Sequence, residues 1–564
     1  MSAKFPEYKG LDLPKVAEEI LNYWQENNIF EKSVTTREGA EPYVFFEGPP
    51  SANGLPGVHH VLARAIKDIF PRYKTMKGYQ VKRKAGWDTH GLPIELGVEK
   101  ELGITKEDIG TDKISVEDYN AACRKAVMRY TDIWNDLTQK MGYWVDMEDP
   151  YITYEPKYME SVWWLLKEIY NKKLIYKGYT IQPYSPKAGT GLSSHELNQP
   201  GTYQDVTDTT VVAQFKAIEN TLPAFLQNEG TIYFIAWTTT PWTLPSNTAL
   251  TVGPKIEYVL VDTFNQYTFE PIKVILAKKL VGKQFGGKNS FQVETSEALS
   301  SYNTGDKKIP FYVIKEFIGK DLVNSKYEQL LDYCLPNDNP QDAFRVIAGD
   351  FVTTEDGTGI VHTAPTFGAD DAIVAKQAVP EIPPMLVKDE NDNLVPLVNL
   401  QGKFRSEVND PIYGFAGEYV KSEYLDEADF EVELKNQQKN LTEVLKNQDK
   451  YLSVDERLGL KLKNENKAFK VEKYKHSYPN CWRTDKPILY YPLDSWFIKV
   501  TDVKDRMHEL NKTINWKPES TGTGRFGNWL ANANDWNLSR SRYWGIPLPI
   551  WRTEDGKEEI LIGS

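Results

Sequence analysis

The sequence has few of the residues that build disulfide frameworks and metal sites. Among 564 residues there are only three cysteines and seven histidines. Cys123, Cys334 and Cys481 lie far apart and form no CxxC pair, so they cannot by themselves supply a four-ligand zinc site of the usual spacing. They also define no disulfide framework, and a reducing cytoplasm is therefore the simplest compartment to expect.

Long apolar runs are missing as well. No stretch approaches the roughly 18 apolar residues of a membrane span, and the N-terminal stretch MSAKFPEYKGLDLPKVAEEI lacks the apolar core of a signal peptide. We therefore expect no membrane partner. The chain has no internal repeat and no low-complexity tract, and no GxGxxG follows a predicted strand. The last absence argues against a nicotinamide-dependent oxidoreductase.

The charge balance excludes another class of protein. A net charge of −12 argues against a chain that coats nucleic acid along its whole surface. One local cluster is strongly basic, because residues 64–84 carry eight cationic side chains and the single acid Asp68. Two interpretations stay open for this cluster, a solvated face or a contact with a polyanion. Its cations are Arg64, Lys67, Arg72, Lys74, Lys77, Lys82, Arg83 and Lys84.

The residues that are present predict a parallel βαβ unit near the N-terminus. YVFFEGPP at 43–50 is typical of a short buried strand that ends in a turn, and SANGLPG follows as a loop. A helix is expected from near His59 towards Gly78, with a kink or an early stop at Pro71. YQVKRKAGWD at 79–88 predicts the next strand, which completes the unit.

The pattern changes after about residue 190. Residues 115–145 and 155–175 look helical, whereas 195–400 alternate or run apolar with β-branched residues between turn signals, which predicts a β-rich module. Residues 420–470 are rich in Glu, Lys and Asn and predict a helical connector. The fold class we expect is therefore α/β, with an α/β domain split by an inserted β-rich domain.

Five motifs in order make the sequence specific. They are GPPSANGLP at 48–56, GWDTHGLPIE at 86–95, WTTTPWTLPSNTAL at 237–250, GTGIVHTAPTFGADD at 357–371 and DWNLSRSRYWGIPLPIW at 535–551. Together they resemble the class I isoleucyl-tRNA synthetases, most nearly the eukaryotic-like bacterial type. The resemblance covers nearly the whole chain. The pairing of GPPxANG with GWDxHGLPxE points to the isoleucyl member rather than its valyl and leucyl siblings.

The resemblance implies a function and a domain plan. A Rossmann-type catalytic domain would activate isoleucine with Mg-ATP and pass it to tRNA(Ile), and the inserted domain would hydrolyse misformed products. The plan is 1–190 for the N-terminal part and first catalytic half, 191–405 for editing, 406–470 for a connector and 471–564 for the start of the second half. The expected protein is a cytoplasmic monomer with no metal site in this portion. The Lys-Met-Ser-Lys-Ser loop, the anticodon-binding helices and any zinc site are expected beyond residue 564.

The signature of the family is altered in this sequence. The family reads His-x-Gly-His after Leu-Pro, whereas Leu55 and Pro56 are followed here by Gly57, Val58, His59 and His60. Gly57, His59 and His60 are the candidate catalytic residues, because a helix N-terminus beside a Gly/Pro loop binds anions and histidines there can donate to phosphate.

Three outcomes of the exchange stay open: an inactive site, an ordinary site with a local backbone adjustment, or a site reshaped against inhibitors that mimic isoleucyl-adenylate. We favour retained activity, and the resemblance further implies resistance to the antibiotic mupirocin.

The resemblance also assigns the amino-acid pocket. Pro49 and Asp88 would hold isoleucine, with the Asp88 carboxylate paired to the α-ammonium. The alternative is that Asp88 merely caps the helix that opens at Gly91-Leu92. His90 is expected at most to orient the turn.

A second, hydrolytic site is expected because isoleucine and valine differ by one methylene. A hydrophobic pocket rejects the smaller side chain by only about 150-fold, a value that comes from isoleucyl-tRNA synthetases themselves. By position, Asp371 would bind the α-ammonium of the misattached amino acid, and His362 would limit the side-chain pocket. The threonines Thr238, Thr239, Thr240 and Thr243 would hold the terminal adenosine and a water. Alone, such a threonine run is more typical of a β-strand edge; its pairing with HTAP and GADD at the expected positions favours the editing site.

Two hypotheses of different class remain. One is a ligase portion whose complete form charges tRNA with isoleucine. The other is a naturally short, non-ligating paralogue that only binds or edits aminoacyl-tRNA.

Overall fold

The structure is a computed structural model that describes residues 10, 12–440 and 450–564. The described residues fall into two units. The first runs to Tyr176 and includes Ile498–Trp536 and Arg542–Ser564, and the second comprises Lys177–Phe497 and Asn537–Ser541. These limits differ from the sequence-based domain boundaries. Since a division by compactness does not define a functional domain, those boundaries stay predictions.

The N-terminal part of the first unit contains a parallel βαβ unit, as predicted. Its elements are α1 (Leu13–Glu26), α2 (Ile29–Thr35), β1 (Pro42–Phe46), α3 (Val58–Met76), β2 (Gln80–Trp87), α4 (Leu92–Leu102), α5 (Val116–Val127), α6 (Thr131–Lys140), β3 (Asp146–Ile152) and α7 (Pro156–Asn171). β1 and β2 pair in parallel from Pro42↔Gln80 to Phe46↔Lys84, and β3 pairs with the other side of β2.

Two details of this unit differ from the sequence-based expectation. α3 runs through Pro71 to Met76, so the predicted early stop is wrong. Pro71 is buried and its carbonyl accepts the Thr75 hydroxyl at 2.9 Å, which keeps the last turn in place. β1 lies where it was predicted but is not buried, since Val44 and Phe46 are 59% and 64% exposed. Within the described residues β1 is an edge strand that pairs only with β2.

The basic cluster at 64–84 is largely used inside the first unit. Arg64 and Arg83 are buried, and Lys67, Arg72 and Lys84 form ion pairs with Glu47, Asp68 and Asp149. A solvated face does not describe Arg64 and Arg83, and a polyanion contact of the other cations stays a prediction. Sequence could not distinguish four of these five side chains from surface cations because their partners lie on other elements, whereas Arg72 pairs with Asp68 one turn earlier on α3.

The second unit is built on a mixed sheet of ten strands. Its elements are β4 (Ile175–Ser185), β5 (Thr190–Gly191), α8 (Ser194–Leu197), β6 (Tyr203–Lys216), β7 (Ile232–Thr238), β8 (Ala249–Val252), β9 (Glu257–Phe264), β10 (Pro271–Ala277), α9 (Val281–Gln284), β11 (Ser290–Gln292), β12 (Ile309–Ile318), β13 (Arg345–Ala348), β14 (Ile360–Thr363), α10 (Ala369–Gln377), β15 (Leu386–Lys388), β16 (Leu394–Pro396), α11 (Glu427–Asn440), α12 (Val454–Asn464), β17 (Ala468–Pro479) and β18 (Leu489–Ile498). The sheet has the order β11-β12-β9-β10-β7-β14-β8-β13, and β6 joins β7 to β17. The predicted β-rich module is present.

Both faces of this sheet are covered. Phe234 and Ile235 are neighbours on β7 and belong to two separate apolar clusters, because successive side chains of a strand point to opposite faces. The central strands are accordingly apolar at almost every position, as expected for strands buried on both sides. A rigid sheet of this kind fixes the end of β7, where the threonine run begins.

The stretch predicted as a helical connector contains α11 and α12, and its residues 441–449 lie outside the described residues. α12 starts with a capping box in which Ser453 and Glu456 bond reciprocally. Its Leu458 and Leu462 are fully buried, and the helix packs on β6 and β17. α12 therefore belongs to the core of the second unit.

The chain ends with α13 (Lys504–Asn511), α14 (Gly527–Ala531), β19 (Trp536–Asn537), β20 (Ile550–Arg552) and β21 (Glu559–Leu561). No helix among the described residues has the length and apolar character that a membrane crossing requires.

We expect Leu458→Ala to lower the free energy of unfolding by about 2–5 kcal/mol, because it removes buried methyl groups and leaves a cavity. Urea unfolding followed by tryptophan fluorescence measures the change. The control is Val432→Ala on α11, which is 55% exposed and should stay within about 0.5 kcal/mol of the wild type. Equal effects from the two variants would contradict a core role for α12.

Candidate functional site

The altered signature forms the N-terminus of α3. Gly57 is the N-cap residue, and its N–H donates to Nδ1 of His60 at 2.9 Å while the His60 N–H donates to the Gly57 carbonyl at 3.0 Å. Since Nδ1 accepts, the neutral His60 ring carries its proton on Nε2. Burial, His59 and Arg64 all lower the pKa of His60. His60 is therefore a neutral hydrogen-bond donor at the positive end of a helix.

The first and third signature positions contact each other in the structure. The His59 ring lies over Gly57, where an added methyl group would come within 2.8 Å of Cε1 of that ring. The same ring lies 3.8 Å from the His60 ring, measured between centroids. His59 thus occupies the space in which a side chain at position 57 would begin. The imidazole missing at position 57 is replaced by one that reaches back from position 59.

The loop before α3 is held by buried polar groups that sequence reasoning missed. Glu47 is buried, and its carboxylate accepts from Lys67 at 2.8 Å and from the Tyr143 hydroxyl. Trp134 donates its indole N–H to the Gly54 carbonyl at 2.9 Å and packs against the His60 ring. These contacts join residues that are about twenty to one hundred positions apart, and no local pattern signals them.

Asp88 lies just after β2 and close to the loop that holds Pro49. Its backbone N–H donates to the Pro50 carbonyl at 3.0 Å, and its side chain is exposed. The N-cap residue of α4 is Gly91, which has no side-chain cap, so the alternative role of Asp88 as a helix cap is wrong. Burial lowers the pKa of His90, with Asp88 acting in the opposite direction.

Two of the quoted motifs meet in the first unit. Glu95, the last residue of GWDTHGLPIE, is buried and accepts the N–H groups of Tyr543 and Trp544 at 3.2 and 3.0 Å. It also pairs with Arg542 at 2.9 Å. The Trp544 indole donates to the Thr89 carbonyl at 2.6 Å. SRYWG is thereby fixed beside the turn that carries Asp88.

The second unit contains a cavity of about 420 Å³ that brings together all six predicted editing residues. We call it the threonine cavity. Its lining comprises Trp237, Thr238, Thr239, Thr240, Thr243, Phe351, Thr353, Asp356, Gly357, Thr358, Gly359, Ile360, Val361, His362, Ala364, Phe367, Gly368 and Asp371. Sequence reasoning missed Phe351, Thr353 and Asp356, which precede the quoted GTGIVHTAP motif.

His362, on β14, is buried in the wall of the threonine cavity. Asn247 donates one amide hydrogen to the Ala249 carbonyl and the other to Nδ1 of His362, both at 2.8 Å. The proton of the neutral ring is therefore on Nε2, which lies 3.0 Å from the Thr243 hydroxyl oxygen. Burial lowers the pKa of His362 to about 3. A neutral ring with both nitrogens engaged forms a wall and is not a general base.

This chain of hydrogen bonds continues in both directions. The Tyr327 hydroxyl donates to Oδ1 of Asn247 at 2.7 Å, and the Thr243 hydroxyl donates to the Thr240 carbonyl at 2.8 Å. Asn247 stands in the quoted WTTTPWTLPSN, whereas Tyr327 had no signal in the sequence. Every hydrogen bond in this series donates in the same direction, from Tyr327 towards the Thr240 carbonyl, so the series fixes the orientation of each side chain in it.

The four threonines divide into two pairs. Thr238 accepts the Thr240 N–H at 3.1 Å, and Thr243 is committed to the chain just described. The Thr240 hydroxyl makes one long hydrogen bond of 3.4 Å, to the Thr238 hydroxyl. The Thr239 hydroxyl has no hydrogen bond within the described part of the chain. Thr239 and Thr240 are thus the two that can bond a ligand.

Asp371 lies in the first turn of α10. Its carboxylate accepts the Ala364 N–H at 2.9 Å and lies against Gly368, where an added methyl group would be 2.5 Å from Oδ2. Burial, with a smaller contribution from neighbouring Asp370, raises the pKa of Asp371 to about 6, although the hydrogen bond from the Ala364 N–H acts in the opposite direction. Among the described residues it forms no ion pair, so a cationic ligand would supply the missing countercharge. No group of three or more residues that could hold a metal ion exists in the same described ranges.

The chain belongs to the class I tRNA synthetases of the I, L, M and V group, whose family model matches residues 19–564. It is 64% identical over 556 residues to the isoleucine–tRNA ligase of Cytophaga hutchinsonii, a match that covers 99% of this chain and 48% of that protein. It is 61% identical to the enzyme of Bacteroides fragilis (100% and 48% covered) and 42% identical to that of Clostridium tetani (98% and 45% covered). The chain spans about half the length of the curated relatives it matches.

Similar solved structures include a LeuRS–tRNA–LeuAMS complex of Agrobacterium radiobacter K84, at 14% identity and a TM-score of 0.33, which covers 98% of this chain and 52% of that one. The editing domain of P. knowlesi cytosolic leucyl-tRNA synthetase matches at 14% identity and a TM-score of 0.23, covering 33% of this chain and 66% of that one. The family model and the curated relatives confirm the predicted family, and the mixed α/β architecture confirms the predicted fold class.

We expect His59→Ala to raise the pKa of His60 towards its ordinary value, because the variant removes a neighbouring imidazole that disfavours the charged form. Burial and Arg64 should keep the pKa below that of an exposed histidine. Titration of the His60 ring protons by NMR measures the change, with exposed His195→Ala in the second unit as control. A pKa that stays the same or falls would contradict the geometry.

Proposed function

We propose that this chain is the N-terminal part of a cytoplasmic, monomeric isoleucine–tRNA ligase. Its first unit would activate isoleucine with Mg-ATP for transfer to tRNA(Ile), and its second unit would hydrolyse valyl-tRNA. The observation that carries the proposal is the threonine cavity, which gathers two available hydroxyls, a size-limiting histidine and an unpaired carboxylate. The 64% identity to an isoleucine–tRNA ligase supports the choice of amino acid.

For activation, the N-terminus of α3 would bind the phosphates of ATP. The first N–H groups of a helix have no partner within it and point at an anion, and Nε2–H of His60 adds a further donor. The isoleucine carboxylate attacks the α-phosphorus, which forms isoleucyl-adenylate and releases pyrophosphate. These donors stabilise the charge that develops on the α-phosphate oxygens. Asp88 and Pro49 would hold the amino acid by its α-ammonium and its side chain.

Transfer then follows from the chemistry of the adenylate. A terminal ribose hydroxyl of tRNA attacks the activated carbonyl carbon, the bond to AMP breaks, and an aminoacyl ester remains. Valine that enters the isoleucine pocket is attached to tRNA through the same kind of ester, so this valyl ester must be hydrolysed afterwards.

For editing, the ester would enter the threonine cavity. The Asp371 carboxylate pairs with the α-ammonium, and Thr239 and Thr240 hold the terminal adenosine and a water. The water attacks the ester carbon, the bond to the ribose oxygen breaks, and the ribose oxygen takes a proton as valine leaves. His362 narrows the cavity. The additional methylene of isoleucine would contact its ring, which hydrogen bonds to Thr243 and Asn247 hold in place.

We expect this chain to hydrolyse valyl-tRNA(Ile) in preference to isoleucyl-tRNA(Ile). Asp371→Ala should lower kcat/KM for the valyl ester by about 10–100-fold, since it removes a charge-assisted hydrogen bond worth about 1.5–3 kcal/mol. Release of labelled amino acid is the measurement. The matched control is Asp370→Ala, an exposed aspartate one position away that should leave the rate unchanged.

The pH profile gives the same test a second readout. The carboxylate is charged above a pKa of about 6, so kcat/KM should fall as the pH drops below that value. Since Asp370 raises the pKa of Asp371, the Asp370→Ala chain should keep the fall in kcat/KM but show it at lower pH. Equal cleavage of both esters by the wild type, or an Asp371→Ala chain with wild-type selectivity, would overturn the proposed editing role.

We also propose that the exchanged signature confers resistance to mupirocin, because the His59 ring covers the surface beside Gly57 that a ligand would approach. The complete ligase should show isoleucine-dependent ATP–pyrophosphate exchange that persists at mupirocin concentrations that stop enzymes with His-x-Gly-His. Inhibition at the same low concentration would refute the resistance. Absence of any exchange would favour the non-ligating paralogue.

A further inference from the structure

The segment that carries Thr243 has few hydrogen bonds within itself. Pro241–Ser246 is a single 3-10 helix, and its N-cap residue Thr240 makes no side-chain cap. Pro241 and Pro245 lack an N–H, so few backbone donors remain to fix the segment. The Trp242 N–H is one of the first donors of this helix and needs a partner outside it.

That partner is Asp455, which is separated from Trp242 by 213 positions in the chain. Oδ1 of Asp455 accepts the Trp242 N–H at 2.8 Å. Asp455 is the second residue of α12 and is 5% exposed. The carboxylate therefore reaches the 3-10 helix from the core of the unit and is not among the residues that line the threonine cavity.

A buried cation accompanies this carboxylate. Nζ of Lys421 lies 3.8 Å from Oδ2 of Asp455 and 3.0 Å from Oδ2 of Asp208, and Lys421 is 4% exposed. One lysine thus faces two carboxylates. Removing a member of such a buried group usually destabilises the fold, so stability alone cannot separate the role of the charge from the role of the acceptor oxygen.

Trp242 links this anchor to the walls of the cavity. Its ring is buried and packs edge-on against Phe367, a lining residue, at 5.1 Å between centroids. The next residue is Thr243, whose hydroxyl meets His362. A shift of the Trp242 backbone would therefore move Thr243, and with it the hydrogen bond that orients the His362 ring.

We infer that Asp455 is a positioning residue for the proposed hydrolysis, because its carboxylate oxygen anchors the Trp242 N–H and thereby holds Thr240 and Thr243 at the threonine cavity. The inference rests on the proposed function and extends it to α12. Asp455 acts through the backbone of another segment and does not line the cavity. The positioning role requires an acceptor oxygen for the Trp242 N–H. The negative charge of Asp455 pairs with Lys421 and is not required for that role.

The test compares Asp455→Ala, which removes the acceptor, with Asp455→Asn, which keeps an acceptor oxygen but loses the charge. The matched control is Asp410→Ala. Asp410 is also buried, accepts two backbone N–H groups at 2.8 and 2.9 Å, and pairs with Lys461 of α12 at 2.8 Å. It therefore reports on general softening of the same helix.

The first readout is hydrogen–deuterium exchange of the peptide that spans Pro241–Ser246, measured by mass spectrometry. The second is kcat and KM for hydrolysis of valyl-tRNA(Ile). In the Asp455→Ala chain we expect exchange at the Trp242 amide to be at least about tenfold faster and kcat to be about tenfold lower, with KM changed less than about twofold. Asp455→Asn should restore both, and Asp410→Ala should alter neither. If Asp455→Ala does not fold, Asp455→Leu removes the acceptor without leaving a cavity.

Three results would overturn the inference: unchanged exchange in the chain without the acceptor, equal impairment by Asp455→Asn, or the same effect from Asp410→Ala. A wild-type chain that hydrolyses no valyl-tRNA would overturn the proposed function and the positioning role in hydrolysis together. In that case the exchange measurement still tells whether Asp455 anchors the segment, so the two failures are distinguishable.

Discussion

The threonine cavity depends on one buried imidazole that stays neutral. His362 accepts from Asn247 through Nδ1 and meets Thr243 through Nε2, so a single ring ties β14 to the 3-10 helix that carries Thr243. A protonated ring would present a hydrogen to the Asn247 amide, which also presents one, and the arrangement would break. The low pKa of His362 is thus a condition for the shape of the cavity. Burial alone is enough to maintain it.

The two histidine sites use the same side chain in opposite ways. His60 accepts one backbone N–H, which leaves its second nitrogen as a donor at the end of a helix. His362 has both nitrogens engaged inside the protein, so it presents ring edges and no donor to the cavity. A lowered pKa has a different meaning in each place: in the first it keeps a donor neutral, and in the second it keeps a wall rigid.

The sequence predicted those parts of the structure that are encoded locally. The βαβ unit followed from strand and helix periodicity, and the editing residues are contiguous within motifs, so they arrive at one cavity once β7 and β14 pair. Exposure of β1 was not predictable, because an apolar strand has the same sequence pattern at the edge of a sheet as at its centre. Asp455, Tyr327 and Glu47 were missed for a related reason. Each is a single polar residue whose partner lies far along the chain, and burial of one polar group leaves no periodic trace.

The contact between His59 and Gly57 also constrains how the exchanged signature can arise. A chain with histidine at both positions would place a side chain within 2.8 Å of the His59 ring as it lies here, so that ring would have to leave its position. A chain with glycine at both positions meets no such clash, although it has one imidazole fewer at the helix N-terminus. The exchanged pair therefore keeps a second imidazole at the helix N-terminus while position 57 stays free of a side chain, and a chain with histidine at both positions requires the exposed His59 ring to take a different rotamer.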